Sequence, residues 1–346
     1  MLSSLQGITP RRLRRVAWAE GSADACLAAI RGGRAGSRLD REYAERTDPA
    51  AMAAALDDCG AAVLTYGGPG YPRELEDLQH DPPAWLFVRG RPFEPQEQRI
   101  AIVGSRSCSA LGREVAHDLG RRLAGAGVHV VSGAAHGIDE ASHRGALAAP
   151  GRTVAVLGAG IDVAYPRSNA ALLDRILATG TVVSEYPPGV PAVPRNFPAR
   201  NRIVAGLARA LVVVEGAGRS GSRISVDHAL DLGRDVFAVP GPVTSPLAEV
   251  PLALIREGAT MIRGADDLLD DLGITWSPHA PPAELPAQER LVFEALTSPV
   301  PADALAREAG LTLSDTLTAL LGLELRGLVR GAAGRFERTL RPSEGG

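Results

Sequence analysis

Between residues 99 and 273 the sequence repeats one unit: a short apolar run, then a glycine-rich turn or strand end, then a helical stretch. The six runs are RIAIVG (99–104), VHVVSG (128–133), TVAVLG (153–158), TVVSE (181–185), ALVVVEG (210–216) and DVFAVPG (235–241). Continuous Val- and Ile-rich runs that alternate with helices are typical of a parallel sheet covered on both faces. Ligands of such sheets bind beyond the carboxyl ends of the strands, so we expect functional residues in the turns that follow these runs.

Three further segments flank this α/β region. Residues 1–60 are rich in Ala and Arg and are predicted to form a small helical module, because GITPRRL places a glycine and a proline before a basic helix. Residues 61–273 are assigned to one domain, whose leading segment adds two short apolar strands. The Pro-rich residues 274–287 are predicted to be a linker. Residues 288–346 are predicted to form a winged helix, since two helices joined by the turn LTLS precede a short hairpin.

The composition excludes some classes of protein but does not identify the function. The net charge is -3, and all 37 basic residues are arginine, whose guanidinium group binds phosphate and stacks on bases. Cys26, Cys59 and Cys108 show no metal or disulfide spacing, and we interpret them as thiols in a reducing cytoplasm. No apolar run is long enough to cross a bilayer and no secretory signal is evident, so we expect a cytoplasmic protein without membrane insertion.

The first two turns carry candidate anion-binding groups. Gly104, Ser105 and Arg106 follow the first run and precede a helix, where backbone N–H groups and a guanidinium favour an anion. The turn lacks GxGxxG, which disfavours a dinucleotide. In the second turn the dipeptide Ser132–Gly133 closes a strand, and Asp139 is placed to cap the next helix.

The later turns add more arginines. Arg167 and Asn169 precede a helix, Arg200, Asn201 and Arg202 crowd another helix start, and Arg219, Ser220, Gly221 and Ser222 form a donor-rich loop. Several phosphate-sized sites on one sheet edge suit a polyanion better than a single nucleotide. The arginines of this expected groove are Arg106, Arg167, Arg200, Arg202, Arg219 and Arg223. Phe197, Tyr165 and Tyr186 are the nearest candidates for base stacking.

Enzymatic alternatives have weaker support. His136 and His143 lack a third metal ligand at suitable spacing, and Ser132 lacks the GxSxG elbow of a hydrolase. A Rossmann-type nucleotide phosphoribohydrolase has a PGGxGT-type loop followed by a catalytic Glu. The comparable stretch here, EGAGRSGSRIS, has no Glu after its glycines. Glu215 precedes the loop and is a candidate substitute, but we interpret VVVEG as the end of a strand. We therefore predict neither a catalytic residue nor a metal or other cofactor.

A sequence-specific transcription factor would read duplex DNA with the helix predicted near residues 314–325. That helix carries Asp315 and Glu324 and no basic residue, so phosphate would repel it. Its apolar residues Leu317, Leu320, Leu321 and Leu325 are predicted to face the core. We hypothesise that this domain contacts protein, or does little, rather than reading duplex DNA.

The motifs, taken in order, resemble the DNA-processing protein A (DprA/Smf) family over nearly the whole chain. The matching stretches are VGSRSCSALG, SGAAHGID, TVAVLGAGIDVAYPRSN, VVSEYPPG, FPARNRIVAGLARALVVVEGAGRSGS and GRDVFAVPG. The resemblance implies an extended Rossmann-like domain, preceded by a SAM/helix-hairpin-helix-like module and followed by a winged helix. It also implies a homodimer that binds and protects single-stranded DNA and loads the RecA recombinase in natural transformation, with no established reaction. By motif match, the DNA pocket includes Arg106, Ser132–Gly133, Arg167, Arg200–Arg202 and Ser220–Ser222.

Two stretches depart from the family pattern. The SGS loop usually continues with an apolar residue and a Thr-Ala pair, whereas here Arg223–Val226 follows. After FAVPG the family usually has Gly-x-Asn, whereas here the chain has Glu249–Leu252. The second departure removes a turn glycine and an amide from the expected rim of the DNA pocket, and the predicted fold is unchanged.

Overall fold

The computed structural model describes residues 10–78, 81–218, 221–274, 285–296, 300–326, 328–332 and 334–338. The chain divides into two compact units, residues 1–274 and residues 275–346. In the described part of the chain, no helix has both the length and the apolar character needed to span a bilayer.

The first unit begins with four short helices. They are α1 (Pro10–Glu20), α2 (Ala23–Arg31), α3 (Arg38–Arg46) and α4 (Pro49–Cys59). Ser37 starts α3 with a capping box, in which its hydroxyl accepts from Asp40 N and the Asp40 carboxylate accepts from Ser37 N. Leu13 and Ile30 form the buried centre of the module, and Trp85 of the following domain packs against it. An apolar contact thus attaches the helical module to the sheet.

A mixed sheet forms the centre of the first unit. Its strands are β1 (Ala62–Thr65), β2 (Trp85–Gly90), β3 (Arg99–Val103), β4 (His129–Ser132), β5 (Thr153–Gly160), β6 (Thr181–Tyr186), β7 (Ala210–Val213), β8 (Asp235–Ala238) and β9 (Thr260–Met261). Among the described residues the strand order is β1-β2-β6-β5-β4-β3-β7-β8-β9. Strands β3 to β9 run parallel, and β2 and β1 extend the β6 edge in antiparallel fashion. The six predicted runs are confirmed as β3 to β8; β9, only two residues long, was not predicted.

Helices cover both faces of the sheet, as the continuous apolar strands require. They are α5 (Ala110–Gly125), α6 (Ile138–Ala146), α7 (Ala170–Thr179), α8 (Asn196–Gly206), α9 (Ser222–Asp231), α10 (Glu249–Arg256) and α11 (Ala265–Asp271). Two buried clusters result: one includes Val103, Leu211 and Ile203, and the other includes Leu157 and Ile176. The sheet is therefore the middle layer of a three-layer α/β domain.

Helices α5 and α6 pack with their backbones in close approach. A Cβ atom on Gly120 would lie 2.2 Å from the carbonyl oxygen of Ser142, and one on Gly145 would lie 1.9 Å from that of His117. Only glycine allows this approach. The contact fixes α6 beside β3, and α6 begins where the turns after β3 and β4 meet.

The second unit has the helix–turn–helix and hairpin order of a winged helix, as predicted. Its elements are α12 (Ala287–Ala295), α13 (Ala302–Ala309), α14 (Leu313–Leu325), β10 (Val329–Ala332) and β11 (Arg335–Arg338), the two strands being antiparallel. Most of the predicted linker, residues 275–284, lies outside the described residues. The prediction that the leucines of α14 face the core is correct for Leu320 and wrong for Leu317, Leu321 and Leu325, which are exposed.

His143 of α6 is fully buried and has a neutral ring. Its Nδ1 lies 2.7 Å from Thr153 Oγ1, and that hydroxyl donates to the carbonyl of Val130. Because the hydroxyl proton is used there, Nδ1–H is the donor to Oγ1. Nε2 has no hydrogen-bond partner among the described residues. Burial, reinforced by the charge of Arg200, lowers the pKa of His143 to about 3.

We expect His143 to make folding stability fall as pH falls below 6.5. The unfolded ring protonates near its ordinary pKa of 6.5, whereas the folded ring stays neutral down to about pH 3, so unfolding takes up one proton in this window. Between about pH 7.5 and about pH 5.5, the free energy of unfolding should fall by about 1.4 kcal/mol more in wild type than in His143→Gln. The glutamine amide keeps a donor for Thr153 and does not titrate. Urea unfolding of both proteins at the two pH values measures the difference. Equal pH dependence would contradict a buried neutral ring.

Candidate nucleic-acid interface

The order of the parallel strands reverses between β3 and β7. From β3 the chain builds outward through β4, β5 and β6, and then returns to place β7 on the other side of β3. At such a reversal the connections after the two central strands diverge and leave a crevice at their carboxyl ends. A pocket of about 500 Å³ lies in this position.

Four segments line the pocket: the turn after β3, the loop after β4, the start of α8 and the start of α9. Many of the residues expected from sequence come together there. They are Gly104, Ser105, Arg106, Gly133, Arg200, Asn201, Gly221 and Ser222. Segments separated by more than 100 residues thus meet at one edge of the sheet.

Other expected residues do not line the pocket. Ser132 is buried, and its hydroxyl donates to the carbonyl of Ile102 at 2.7 Å. Arg167 is exposed at the start of a short 3-10 turn ahead of α7. Arg219 and Ser220 lie outside the described residues.

Arg202 is directed away from the pocket and is almost completely buried. Its Nη2 donates to Glu185 Oε1 at 2.7 Å, and its Nε donates to the carbonyl of Asp81 at 2.9 Å and lies 3.0 Å from the Asp81 carboxylate. Arg223, also expected in the groove, pairs with Glu257 at 2.6 Å. Both guanidinium groups are therefore engaged with carboxylates of the protein.

Arg106 lines the pocket with an exposed guanidinium. Its Cζ lies 5.2 Å from the centroid of the Phe197 ring, and that ring lies 5.1 Å from the ring of Tyr165. Within the described ranges, no carboxylate lies close enough to Arg106 to form an ion pair. A cation held over an aromatic face is a stable arrangement, and it leaves the N–H groups at the guanidinium edge available to a ligand.

Arg200 holds the loop after β4 from beneath. Its Nη1 donates to the carbonyl of Gly133 at 2.6 Å and to the carbonyl of Val156. A Cβ atom on Gly133 would lie 2.4 Å from this guanidinium, so a side chain here would displace Arg200 from the two carbonyls. Burial lowers the pKa of Arg200 to about 10, and the charge of Asp139 opposes that shift. Arg200 is still a cation at neutral pH and adds positive potential to the pocket.

Asp139 holds the same loop from the other side. Its Oδ2 accepts from Gly133 N at 3.2 Å and from Ala135 N at 3.4 Å. It was expected to be the N-cap of α6, but the cap position is Gly137, and Asp139 lies in the first turn. Burial raises the pKa of Asp139, and the charge of Arg200 opposes that rise. The buried carboxylate and guanidinium therefore fix opposite sides of one loop.

The loop has an unusual backbone between these two contacts. Ala134 has φ of 54°, a left-handed conformation that costs free energy for any residue with a Cβ. Asn169 Nδ2 donates to the Ala134 carbonyl at 3.1 Å. Asn169, which sequence alone placed near phosphate, is buried and positions the loop.

Asn201 and α9 form the wall of the pocket that faces the loop after β4. Asn201 Nδ2 donates to the carbonyl of Gly221 at 3.3 Å, which joins the middle of α8 to the residue preceding α9. The amino terminus of α9 lies at the pocket, where its backbone N–H groups and dipole favour an anion. Ser225 also lines the pocket and was not anticipated. Its spacing of three from Ser222 places both on one helix face and could have identified it.

Glu215 and Glu249 are structural residues at the pocket rim. The Glu215 carboxylate accepts from Ser109 N at 2.8 Å and from Ser109 Oγ at 2.6 Å, next to the start of α5. Its backbone carbonyl accepts from Ser105 N. Glu249, in the stretch that departs from the family pattern, accepts from Gly218 N at 2.9 Å. These bonds stabilise the turns that shape the pocket.

Comparison with protein families agrees with this architecture. The family model for DNA recombination-mediator protein A matches residues 62–273, and the model for the DprA winged helix domain matches residues 277–335. Protein Smf of Escherichia coli is 38% identical over 273 residues, covering 75% of this chain and 73% of that protein. The putative DNA processing protein DprA of Mycobacterium tuberculosis is 42% identical over 270 residues, covering 75% of this chain and 69% of that protein.

Solved structures show the same fold. The X-ray structure of DNA processing protein A from Streptococcus pneumoniae matches with a TM-score of 0.66 and 32% identity, covering 80% of this chain and 95% of that chain. DNA processing protein A from Helicobacter pylori, whose structure describes a single-stranded DNA binding mode, matches with a TM-score of 0.56 and 24% identity over 63% of this chain and 97% of that one. The sheet domain and the winged helix each match a model of the same family. The chain therefore belongs to the DNA recombination-mediator protein A (DprA/Smf) family.

Proposed function

We propose that this protein binds single-stranded DNA in the pocket between β3 and β7 and catalyses no reaction there. In this proposal it works in the cytoplasm as a homodimer that protects incoming DNA and loads the RecA recombinase during natural transformation. The description of the matching family as a recombination mediator supports the RecA role, and the single-stranded DNA described for the Helicobacter pylori protein supports the ligand.

The observation that carries the proposal is the exposed Arg106 guanidinium stacked on Phe197. A phosphate bound between Arg106 and the start of α9 would meet a guanidinium fork and backbone N–H groups together. The exposed ring of Tyr165, which packs against Phe197, offers a neighbouring base a stacking surface. Neither contact reads base identity, so the site suits DNA of any sequence.

The other arginines support this contact rather than making it. Arg200 adds positive potential from beneath and holds the Gly133 carbonyl. Arg202 binds Glu185 and the Asp81 carbonyl on the far side of α8. We propose that both are positioning residues and that Arg106 makes the direct phosphate contact.

A nucleotide phosphoribohydrolase is the alternative, and Glu215 is its candidate catalytic group. The hydrogen bonds from Ser109 occupy both carboxylate oxygens of Glu215. A carboxylate used in this way is poorly placed to activate water or stabilise a sugar cation. An assay for free base released from nucleoside monophosphates tests the alternative directly.

We expect Arg106→Ala to weaken binding of labelled oligo-dT. Loss of one phosphate contact should reduce the slope of log affinity against log salt by about 0.7. The loss of a charge-assisted contact should also weaken binding by roughly tenfold or more at moderate salt. Fluorescence anisotropy across a salt series measures both quantities.

The matched control is Arg144→Ala, which removes an exposed arginine paired with Glu140 near the end of α6. Its affinity and salt slope should stay close to wild type. If Arg106→Ala and Arg144→Ala behave alike, the pocket is not the DNA site. If wild type does not bind oligo-dT, the phosphoribohydrolase assay becomes the next experiment.

We expect Tyr165→Leu to weaken binding through lost stacking alone. Leucine keeps an apolar side chain against Phe197 but offers no ring to a base. The loss should be roughly 1–3 kcal/mol per stacked base, with the salt slope unchanged because no charge is removed. The anisotropy titration used for Arg106→Ala separates the two effects. A changed slope with unchanged affinity would contradict a stacking role.

Arg202→Ala should affect stability more than DNA contact. Removal of the guanidinium leaves Glu185, whose side chain is mostly buried, without its partner. Breaking a buried pair from one side costs about 3–5 kcal/mol, and partial exposure of Asp81 places the expected loss near the lower value. Thermal and urea unfolding measure the loss, and Arg106→Ala, whose side chain is exposed, should unfold like wild type. Unchanged stability of Arg202→Ala with weakened DNA binding would identify Arg202 as a direct contact.

A further inference from the structure

Helix α1 exposes a tryptophan beside an arginine on the outer side of the helical module. Trp18 is 91% exposed, whereas tryptophan is a largely buried residue in most folded proteins. Arg15 precedes it by three positions and is also exposed, so the two side chains are neighbours on the helix surface. Leu13 is buried, and Val16 and Ala17 pack against the same cluster, so α1 already has a core-facing side. The core of the module therefore does not need Trp18.

The positive charge of the module is concentrated in α1. Four of the residues Pro10–Glu20 are arginine, and Glu20 is their one acidic residue. Residues 21–60 carry five arginines and seven acidic residues, so their net charge is negative. Glu20 is paired with Arg34 at 3.2 Å. Arg15 makes no hydrogen bond or ion pair within the described ranges, so its guanidinium is open to an anionic ligand.

The pairing of a guanidinium with an exposed indole ring fits a single nucleic-acid strand better than other anionic partners. A helix that lies on a membrane inserts an apolar face, and the apolar side of α1 is already packed against the cluster that includes Ile30. An acidic peptide would pair with Arg15 but would leave the ring of Trp18 without a flat partner. A single strand offers a phosphate and an unpaired base side by side, which suit a guanidinium and an indole ring together.

The helical module is attached at the edge of the sheet that contains the pocket. Trp85, the first residue of β2, packs against the cluster of the module. Strand β2 runs antiparallel to β6 and Phe87 pairs with Ser184, so Trp85 lies level with the carboxyl end of β6. Strands β6, β5 and β4 separate β2 from β3. Four strand spacings amount to about 19 Å, which a few nucleotides of extended single strand can cover.

The turn after β5 lies between the pocket and the module on this edge. It presents Tyr165, which is 45% exposed and whose ring centroid lies 5.1 Å from that of Phe197. Arg167 follows in the same turn and is exposed, although it does not line the pocket. A strand that leaves the pocket toward the module would therefore meet an aromatic ring and a cation before it reaches α1.

We propose that the Arg15/Trp18 face of α1 is a second contact for the strand bound in the pocket, with a base stacked on Trp18 and a phosphate bound by Arg15. This inference rests on the proposed single-stranded DNA function and extends it, because it makes affinity depend on strand length. A strand too short to reach α1 binds in the pocket alone. A longer strand makes the second contact intramolecularly, so its affinity gains from both contacts.

The test measures anisotropy of labelled oligo-dT of about 4 and about 16 nucleotides with the full-length chain. Trp18→Leu should weaken binding of the longer strand by roughly fivefold or more through lost stacking, with the salt slope unchanged. Arg15→Ala should reduce the salt slope for the longer strand by about 0.7. Both variants should bind the shorter strand as wild type does. The matched control is Arg38→Ala, which removes an exposed arginine of α3 paired with Glu42 and should leave both strands unaffected.

Tryptophan fluorescence is an independent readout of the same contact. The chain has three tryptophans, so the difference in emission between wild type and Trp18→Leu reports Trp18. The longer strand should quench this difference signal, and the shorter strand should leave it unchanged. Quenching by vesicles of anionic phospholipid, with none by the longer strand, would assign the Arg15/Trp18 face to a membrane surface and overturn the proposal.

The α1 contact and the pocket can fail separately. Arg106→Ala should weaken binding of both strands, and if it weakens neither, the pocket is not the DNA site. If Arg106→Ala weakens both while Trp18→Leu and Arg15→Ala bind the longer strand as wild type does, the pocket is supported and the α1 contact is wrong. Equal weakening of both strands by Trp18→Leu would also contradict the α1 contact, because the substitution would then act on the pocket.

Discussion

The parallel direction of β3 and β7, together with the reversal of strand order between them, is the constraint on which the site depends. Parallel strands bring every following turn to one edge, and the reversal opens a space between two of those turns. The backbone groups of the turns then need partners. Glu215 and Asp139 accept from N–H groups there, and Arg200 donates to carbonyls. Among the described residues, Glu215, Asp139 and Arg200 therefore satisfy the backbone, and Arg106 presents an exposed guanidinium to the open space.

The strands and the edge where their turns meet could be predicted from the sequence because each strand is specified by its own short segment. Apolar runs of five to seven residues, five of which end in glycine, specify buried strands and the turns that follow them, and six strands were located in this way. Sequence reasoning did not predict which arginines face the pocket and which bind other groups of the protein. Arg200 and Arg202 are two apart on a helix, which separates their directions by about 200°, so only one of them can face a given groove. That geometry was available from spacing alone.

The leucines of α14 show a second reason why burial could not be predicted from the sequence. Leucine or alanine occupies positions on every side of this helix, so periodicity does not decide which row is buried. The outcome depends on where α12 and α13 pack, and these contacts place Leu320 and Leu323 inside and leave Leu317, Leu321 and Leu325 outside. The short β9 was missed for a related reason, because its two residues pair only through the position of β8. Such features depend on tertiary contacts, which a pattern within one segment does not contain.

The left-handed Ala134 has a consequence for how a ligand would be bound. A residue in this conformation remains there only because Asn169, Arg200 and Asp139 hold the loop around it. The conformational entropy of this wall is therefore lost during folding, before any ligand arrives. A flexible strand entering such a rigid cleft would undergo most of the ordering itself. Preference among ligands would then depend on how easily the backbone of each ligand bends to fit the cleft. Stiff duplexes would bind less well, although no protein group distinguishes them from single strands.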